Sequence, residues 1–76
     1  MKARNIVADK LRGIRAEHNY TIDFVSIKSG VNRDTISRYE NAVVSQQIDI
    51  LEKILNVYGI DLTFFFTKIY ANKQNK

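Results

Sequence analysis

The chain has 76 residues, of which 45% are hydrophobic and 26% charged, and it carries a formal net charge of +4 at pH 7. A length this small allows one domain with a thin core, because such a chain buries only about 60% of its unfolded surface. The sequence contains no cysteine and a single histidine, His18, which excludes disulfides, thiolate metal sites, and a histidine metal cluster or catalytic triad within one chain.

The charge is unevenly distributed along the chain. Residues 1–41 carry eight Lys/Arg against five Asp/Glu, residues 42–66 carry one against three, and residues 67–76 add three lysines. A basic N-terminal part is typical of a face that binds phosphates, although a mildly basic solvated surface gives the same counts. No segment has the pattern of a signal peptide or the ~18 apolar residues of a membrane span, so we expect a soluble cytoplasmic domain.

Helical spacing recurs along the chain and strand-type alternation is absent, so the sequence predicts an all-α fold. The first helix is predicted over residues 3–18, where Val7, Leu11 and Ile14 form one apolar stripe. A stripe of this width indicates a helix that covers a core with one face.

Two short helices joined by a tight turn are predicted next, over residues 21–29 and 32–41. Gly30 can adopt the left-handed conformation that ends the first of them, and Asn32 is a good N-cap for the second. Phe24 and Ile27 should lie on the outer side of the first. The outer side of the second is polar and suits a DNA major groove better than a core; it presents Arg33, Asp34, Ser37 and Arg38. We interpret the unit as a helix-turn-helix.

The last part of the chain predicts two more helices, over residues 46–58 and 62–70. Three residues are expected to cap or stop these helices: Ser45, Gly59 and Asp61. We therefore expect one compact five-helix domain over residues 1–70, followed by a polar tail at 71–76. The five predicted helices are numbered 1 to 5 in chain order. An enzyme is not expected, and neither a cofactor nor a metal, because no nucleophile with a histidine and an acid, no metal cluster and no glycine-rich phosphate loop can be assembled.

The joint spacing over residues 11–66 resembles the lambda repressor/Cro-like helix-turn-helix family of bacterial and phage transcriptional regulators. A small residue, Ser26, lies in the middle of helix 2, a glycine follows four residues later, and Ile36 lies six residues after that glycine. Glu40 follows, and Gly59 precedes another isoleucine. The resemblance implies a compact five-helix fold in which helix 3 enters the DNA major groove with its N-terminal residues at the base edges.

Carried over by position, the base-reading residues are Arg33, Asp34, Ser37 and Arg38. Arginine can donate two hydrogen bonds to guanine and aspartate can accept one from cytosine, so a G·C pair is expected in each half-site. The arginines could instead form a solvated helix face, and the aspartate could serve to stabilise the helix start. Asn32 and Thr35 are expected to contact phosphates or act as caps, and Thr21 to contact a phosphate.

The family also pairs an arginine late in helix 1 with a glutamate at the end of helix 3, which here implies a structural ion pair between Arg15 and Glu40. Two departures from the family's pattern remove phosphate contacts. Ile22 stands where many members have a glutamine, and Val43 and Val44 stand in a loop that often carries Lys or Arg. We therefore expect a modest affinity for DNA.

The resemblance further implies a homodimer through Val43, Val44 and Phe64, with recognition helices about 34 Å apart on a pseudo-palindrome. Phe64 could instead cover the junction of helices 4 and 5. Phe24 and Ile27 form a separate apolar patch that could bind a second protein or cover helix 1. The leading interpretation is a sequence-specific DNA-binding regulator, most simply a repressor. The alternative is an antitoxin or phage-immunity module that binds a partner protein as well as DNA.

Overall fold

The computed structural model describes the backbone of residues 2–74 and the side chains of residues 2–68. Five α-helices make up the described chain, which contains no strand: α1 Ala3–His18, α2 Ile22–Ser29, α3 Arg33–Glu40, α4 Ile48–Val57 and α5 Leu62–Gln74. The expected all-α, five-helix class is confirmed. Within the described residues, no helix combines the length and apolar character needed to cross a bilayer.

Three helices begin with a side-chain cap, and two of these caps, Asn32 and Asp61, were predicted from the sequence. The Thr21 hydroxyl accepts a hydrogen bond from the Phe24 backbone N–H at 3.0 Å, and the Asn32 side chain accepts one from Asp34 at 2.8 Å. The Asp61 carboxylate likewise accepts one from the Phe64 backbone N–H at 2.8 Å. These bonds satisfy N–H groups that the first turn of a helix leaves without partners. α3 and α5 begin where the sequence predicts, whereas Thr21, predicted as the first residue of α2, is its N-cap, and α2 begins at Ile22.

The start of α4 was wrongly predicted. The helix begins at Ile48, two residues later than expected, and its N-cap is Gln47 without a side-chain cap, not Ser45. The Gln46 side chain donates to the backbone carbonyls of Arg4 and Tyr39, and the Gln47 N–H donates to the Tyr39 hydroxyl. These long-range bonds hold the segment in an extended conformation and delay the helix.

The last helix is longer than predicted. It continues to Gln74, four residues beyond the expected end at 70, because no glycine or proline follows to stop it. The division into a domain over 1–70 and a tail over 71–76 stays a prediction, and residues 75 and 76 lie outside the described chain.

The core forms where the five helices meet. α1 packs on α3, α2 on both α3 and α4, and α5 on α1 and α4. The buried side chains include Leu11, Val25, Ile36, Leu55 and Phe65, each no more than 1% exposed. Val25 of α2 and Ile36 of α3 are among them, so the inner sides of both helices are in the core and the packing fixes the outer face of α3.

Ala42 adopts an unusual backbone conformation just after α3, with φ at +57°. The Val43 N–H donates a hydrogen bond to the Arg38 carbonyl at 3.1 Å, which is the Schellman arrangement at the end of a helix. In this arrangement the position of Ala42 is most often occupied by glycine. The Cβ of an L-residue is strained in this conformation. Nothing in the side chain of an alanine indicates such a bend, and the sequence did not predict it.

Replacing Ala42 with glycine should raise the free energy of unfolding by about 0.5–1 kcal/mol, because glycine adopts this conformation without strain. Urea denaturation followed by circular dichroism measures the change. Ala16→Gly is the matched control, since Ala16 lies exposed within α1, and it should lower stability by about the same amount. A loss of stability in both variants would contradict the prediction.

Candidate nucleic-acid interface

The turn between α2 and α3 is fixed by two serines and a glycine. The Ser26 hydroxyl donates to the Val31 carbonyl at 2.6 Å, and the Val31 N–H donates to the Ser29 hydroxyl at 3.1 Å. Gly30 takes the left-handed conformation, with φ at +77°. The small residue in the middle of α2 therefore contributes its hydroxyl to the turn, and together these contacts set the angle between the two helices.

The outer face of α3 presents the predicted base-reading residues together. Arg33, Asp34 and Arg38 are exposed and Ser37 is half-buried, while Ile36 and Tyr39 of the same helix are in the core. Helical spacing places 33, 34, 37 and 38 on neighbouring positions of one side. The face therefore carries two guanidinium groups, one carboxylate and one hydroxyl, which are groups that read base edges.

Arg33 is held by an ion pair that the sequence did not predict. Its Nη1 lies 3.0 Å from Oδ1 of Asp23 in the first turn of α2, and both side chains are 63% exposed. A pair this exposed adds little to stability. It does link the first turns of α2 and α3. The opposite charges of two residues at the starts of helices joined by a short turn could have indicated this pair in the sequence.

The three residues predicted to contact phosphates lie near the helix starts. Asn32 and Thr21 serve as N-caps for α3 and α2, so the capping role considered for Asn32 is confirmed. Thr35 is half-buried in the first turn of α3. Phosphate contacts from these residues stay a prediction, and one that is compatible with capping, because a hydroxyl or amide can donate to a phosphate while its oxygen accepts from the backbone.

The ion pair between Arg15 and Glu40 connects α1 to the end of α3, as the resemblance implied. Arg15 Nε lies 2.9 Å from Glu40 Oε2, and Nη2 lies 2.9 Å from Oε1. A further donor, Nη1, bonds the Tyr20 carbonyl at 3.0 Å. The Glu40 side chain is 4% exposed and that of Arg15 26% exposed. The hydrogen bond to Glu40 raises the pKa of Arg15, so the guanidinium group stays charged, and its bonds to Glu40 fix the position of α3 relative to α1.

A second arginine of α1 reaches the same end of α3. Arg12 donates to the backbone carbonyl of Glu40 and also pairs with Asp9 one turn earlier. A cation at this position satisfies a carbonyl that the last turn of α3 leaves without a helical partner, and it interacts favourably with the helix dipole. The end of the recognition helix is thus held by two guanidinium groups.

An aromatic cluster covers the Arg15 side of the domain. The Tyr58 ring lies 5.8 Å from Tyr20 in a stacked arrangement and 5.0 Å from His18, and Tyr20 lies 4.5 Å from Phe24. Burial, together with the negative charge of Glu40, raises the pKa of Tyr58 to about 12. The cluster was not predicted, because its members share no spacing: His18 ends α1, Tyr20 and Phe24 lie before and within α2, and Tyr58 follows α4.

The raised pKa of Tyr58 predicts a loss of stability at alkaline pH. Its ordinary value is 10.0, so the neutral phenol contributes stability in full below about pH 10, and this contribution is lost as the pH rises toward 12. Absorbance at 295 nm should show a tyrosine component that titrates near pH 12 and disappears in Tyr58→Phe. Loss of a component near pH 10 in that variant would contradict the assignment.

The residues predicted to form a dimer contact are all exposed. Val43 and Val44 are 63% and 37% exposed in the loop before α4, and Phe64 is 54% exposed. Phe64 lines a groove between α1 and α5, with Lys68 Nζ 5.9 Å from its ring centroid. The sequence analysis missed a further exposed pair beside the α4 start, Ile48 and Phe66, which line two neighbouring grooves together.

Apart from the fully buried Val25, the apolar residues of α2 divide into two groups. Ile22, which stands where many family members have a glutamine, packs partly buried against the core. The side chain at this position therefore contributes to the core and has no polar group to donate to a phosphate. Phe24 is 37% exposed and Ile27 80% exposed on the outer side, as predicted. Such an outward-facing pair gives the helix an apolar surface away from α3.

The chain matches a family model described as helix-turn-helix over residues 11–65. An HTH-type transcriptional regulatory protein of Pyrobaculum aerophilum is 32% identical over 72 residues, which cover 95% of this chain and 28% of that protein. One of Picrophilus torridus is 41% identical over 59 residues, which cover 78% of this chain and 19% of that protein.

The chain thus spans less than a third of the length of either relative. No solved structure gives a significant match. The family model nevertheless covers well over half of the chain, and it includes the whole turn, the outer face of α3 and the glutamate that pairs with Arg15. The chain belongs to the helix-turn-helix family of the lambda repressor/Cro type.

Proposed function

We propose that the chain is a sequence-specific DNA-binding transcriptional regulator, most simply a repressor that occludes a promoter. The observation that carries the proposal is the outer face of α3, where two arginines and an aspartate are exposed on a helix held by the buried Glu40. In this proposal α3 lies in the major groove with its N-terminal half at the base edges. The site of action is the cytoplasm, where the DNA lies, and no enzymatic step is involved.

Selection of bound DNA from a random duplex pool tests this function. We expect the enriched sequences to share a motif with at least one G·C pair in each half-site, because arginine donates two hydrogen bonds to guanine. Binding that is equal on all sequences would reduce the protein to a non-specific binder. A steep decrease in affinity with salt is expected in both cases and does not distinguish them.

The regulator is proposed to act as a homodimer through Val43, Val44 and Phe64. Their exposure supports the proposal, since apolar side chains that are exposed in a monomer can be covered by a second copy. A two-fold dimer would place the two α3 helices about 34 Å apart on a pseudo-palindromic operator. The enriched motif should then be an inverted repeat.

Phe64→Glu should reduce the sedimenting mass from twice 8.8 kDa to 8.8 kDa, because a carboxylate cannot be buried in an apolar contact. Ile27→Glu is the control, an equally drastic change on α2 that should keep the dimer. If Phe64→Glu has the parent mass and Phe66→Glu does not, the contact lies at Ile48 and Phe66 instead.

The second candidate function is an antitoxin or phage-immunity module, in which the same domain binds a partner protein as well as DNA. The observation that favours it is the outer side of α2, where Ile27 is 80% exposed and Phe24 37% exposed. Large apolar side chains on an exposed helix face are typical of a protein-binding surface. A small toxin-like reading frame beside the gene would support this function.

A further inference from the structure

A groove lies between α2 and the C-terminal half of α4, away from the outer face of α3. Its volume is about 450 Å³, which is within the range of ligand-binding clefts. The rings of Tyr20 and Phe24, with centroids 4.5 Å apart, contribute the aromatic part of its lining. Val57 adds an aliphatic surface from α4. The groove can therefore accept an apolar side chain.

The charged residues of the groove all have the same sign. Lys28 and Lys53 line it from α2 and α4, and no carboxylate is among its described lining residues. Neither lysine forms an ion pair with a described residue. The ammonium group of Lys28 lies 5.7 Å from the Phe24 ring centroid, so positive charge and aromatic surface are side by side. An occupant that complements this lining carries carboxylates next to an apolar group.

The apolar surface extends beyond the groove, and this favours a macromolecule over a small ligand. Ile27 is one turn from Phe24 on the same side of α2 and is 80% exposed. A small anion in the groove would leave Ile27 in water, whereas a peptide segment could cover it. DNA is a poorer match, because a phosphodiester offers no apolar group to the Tyr20 and Phe24 rings.

We infer that this groove binds an acidic segment of a partner protein, with one apolar side chain against Tyr20 and Phe24 and carboxylates beside Lys28 and Lys53. The inference rests on the proposed partner-binding role of the α2 surface and specifies the chemistry of that partner. It is independent of DNA reading, since none of these residues belongs to the outer face of α3.

Three synthetic twelve-residue peptides test the inference. The first carries four Glu around a Phe and a Leu one helical turn apart, the second has Gln for each Glu, and the third has Ser for the Phe and Leu. Binding is measured by fluorescence anisotropy, and the site is located from backbone amide shifts in the full chain. We expect the first peptide to bind about tenfold more tightly than either of the others and to shift the amides of Lys28, Ser29 and Asn56.

Charge reversal in the groove should abolish this preference. Lys28→Glu combined with Lys53→Glu should weaken binding of the acidic peptide at least about tenfold. Lys10→Glu and Lys68→Glu combined are the matched control, because the same charge is changed on α1 and α5, outside this groove; binding should stay within about twofold. Selection of bound DNA with the Lys28/Lys53 double variant should return the parent motif.

The outcomes separate the inference from the proposals on which it rests. If the Glu and Gln peptides bind equally and shift the same amides, the partner segment need not be acidic and the inference is wrong, while the proposed partner-binding role of the α2 surface is retained. No binding of any peptide would overturn both. If benzoate shifts these amides and the peptides do not, the groove is a small-anion site and the inference is wrong. A change of sedimenting mass in the Lys28/Lys53 variant would assign the groove to a second copy.

Discussion

Replacing Glu40 with alanine should lower the free energy of unfolding by about 3–5 kcal/mol. The Glu40 side chain is 4% exposed and accepts three hydrogen bonds from the guanidinium group of Arg15. Its removal leaves that cation without its charge partner in a partly buried site, because Arg15 retains only the Tyr20 carbonyl as an acceptor. A domain of 76 residues has a total stability of roughly 4–11 kcal/mol. The loss is therefore a large fraction of the total stability, and the variant should unfold at a much lower urea concentration than the parent.

Urea denaturation followed by circular dichroism measures this effect, and Asp9→Ala is the matched control. Asp9 also pairs with an arginine of α1, but that pair is about half exposed on both sides and should contribute less than about 1 kcal/mol. If Glu40→Ala and Asp9→Ala lose the same small amount of stability, the buried pair does not anchor α3. The double variant Arg15→Leu/Glu40→Leu should recover part of the loss, because it removes both charges from the buried site.

The elements that sequence could predict are those determined by neighbouring residues. Thr21, Asn32 and Asp61 each cap a helix through a bond to a residue two or three positions further on, and Gly30 allows the turn by its own conformational freedom. Such features depend on a few consecutive residues, so the starts of α3 and α5 were predicted correctly and that of α2 to within one residue. The apolar spacing identified the core for the same reason.

The features that sequence could not predict depend on residues far apart in the chain. The delayed start of α4 follows from a hydrogen bond between Gln46 and the Arg4 carbonyl, 42 positions away. The cluster around Tyr58 joins three helices, and the ion pair between Asp23 and Arg33 crosses the turn. In each case the sequence contains residues that could interact, but no periodicity indicated that they would be in contact. Only the packing of the helices brings them together.

The candidate interface shows the same division. The identity of the exposed residues on α3 followed from helical spacing, and their arrangement on one face is as predicted. The ion pair of Arg33 changes what is expected of it, because the guanidinium group must share its donors between Asp23 and a base. Arg38 forms no ion pair with a described residue, so all of its donors are available to guanine. Arg38 is therefore the sharper test of base reading.

Replacing Arg38 with alanine should remove the preference for guanine at one position of each half-site. A bidentate contact to guanine O6 and N7 contributes about 1–3 kcal/mol of discrimination, so affinity for the best parent sequence should decrease roughly 5- to 150-fold. Selection from a random pool identifies the position, and titration of the parent operator at fixed salt gives the magnitude. The other positions of the motif should be unchanged, because the variant retains Arg33 and Asp34, which are proposed to contact the other bases.

Lys10→Ala is the matched control, since it removes one positive charge from α1 and leaves α3 intact. Loss of a charge that does not read a base should weaken binding by a similar factor on all sequences and leave the motif unchanged. An Arg38→Ala variant with the parent motif and uniformly weaker binding would make Arg38 a phosphate contact. An unchanged motif with unchanged affinity would make it a solvated side chain. A lost guanine at one position, with the rest of the motif retained, is the result that only a base-reading arginine produces.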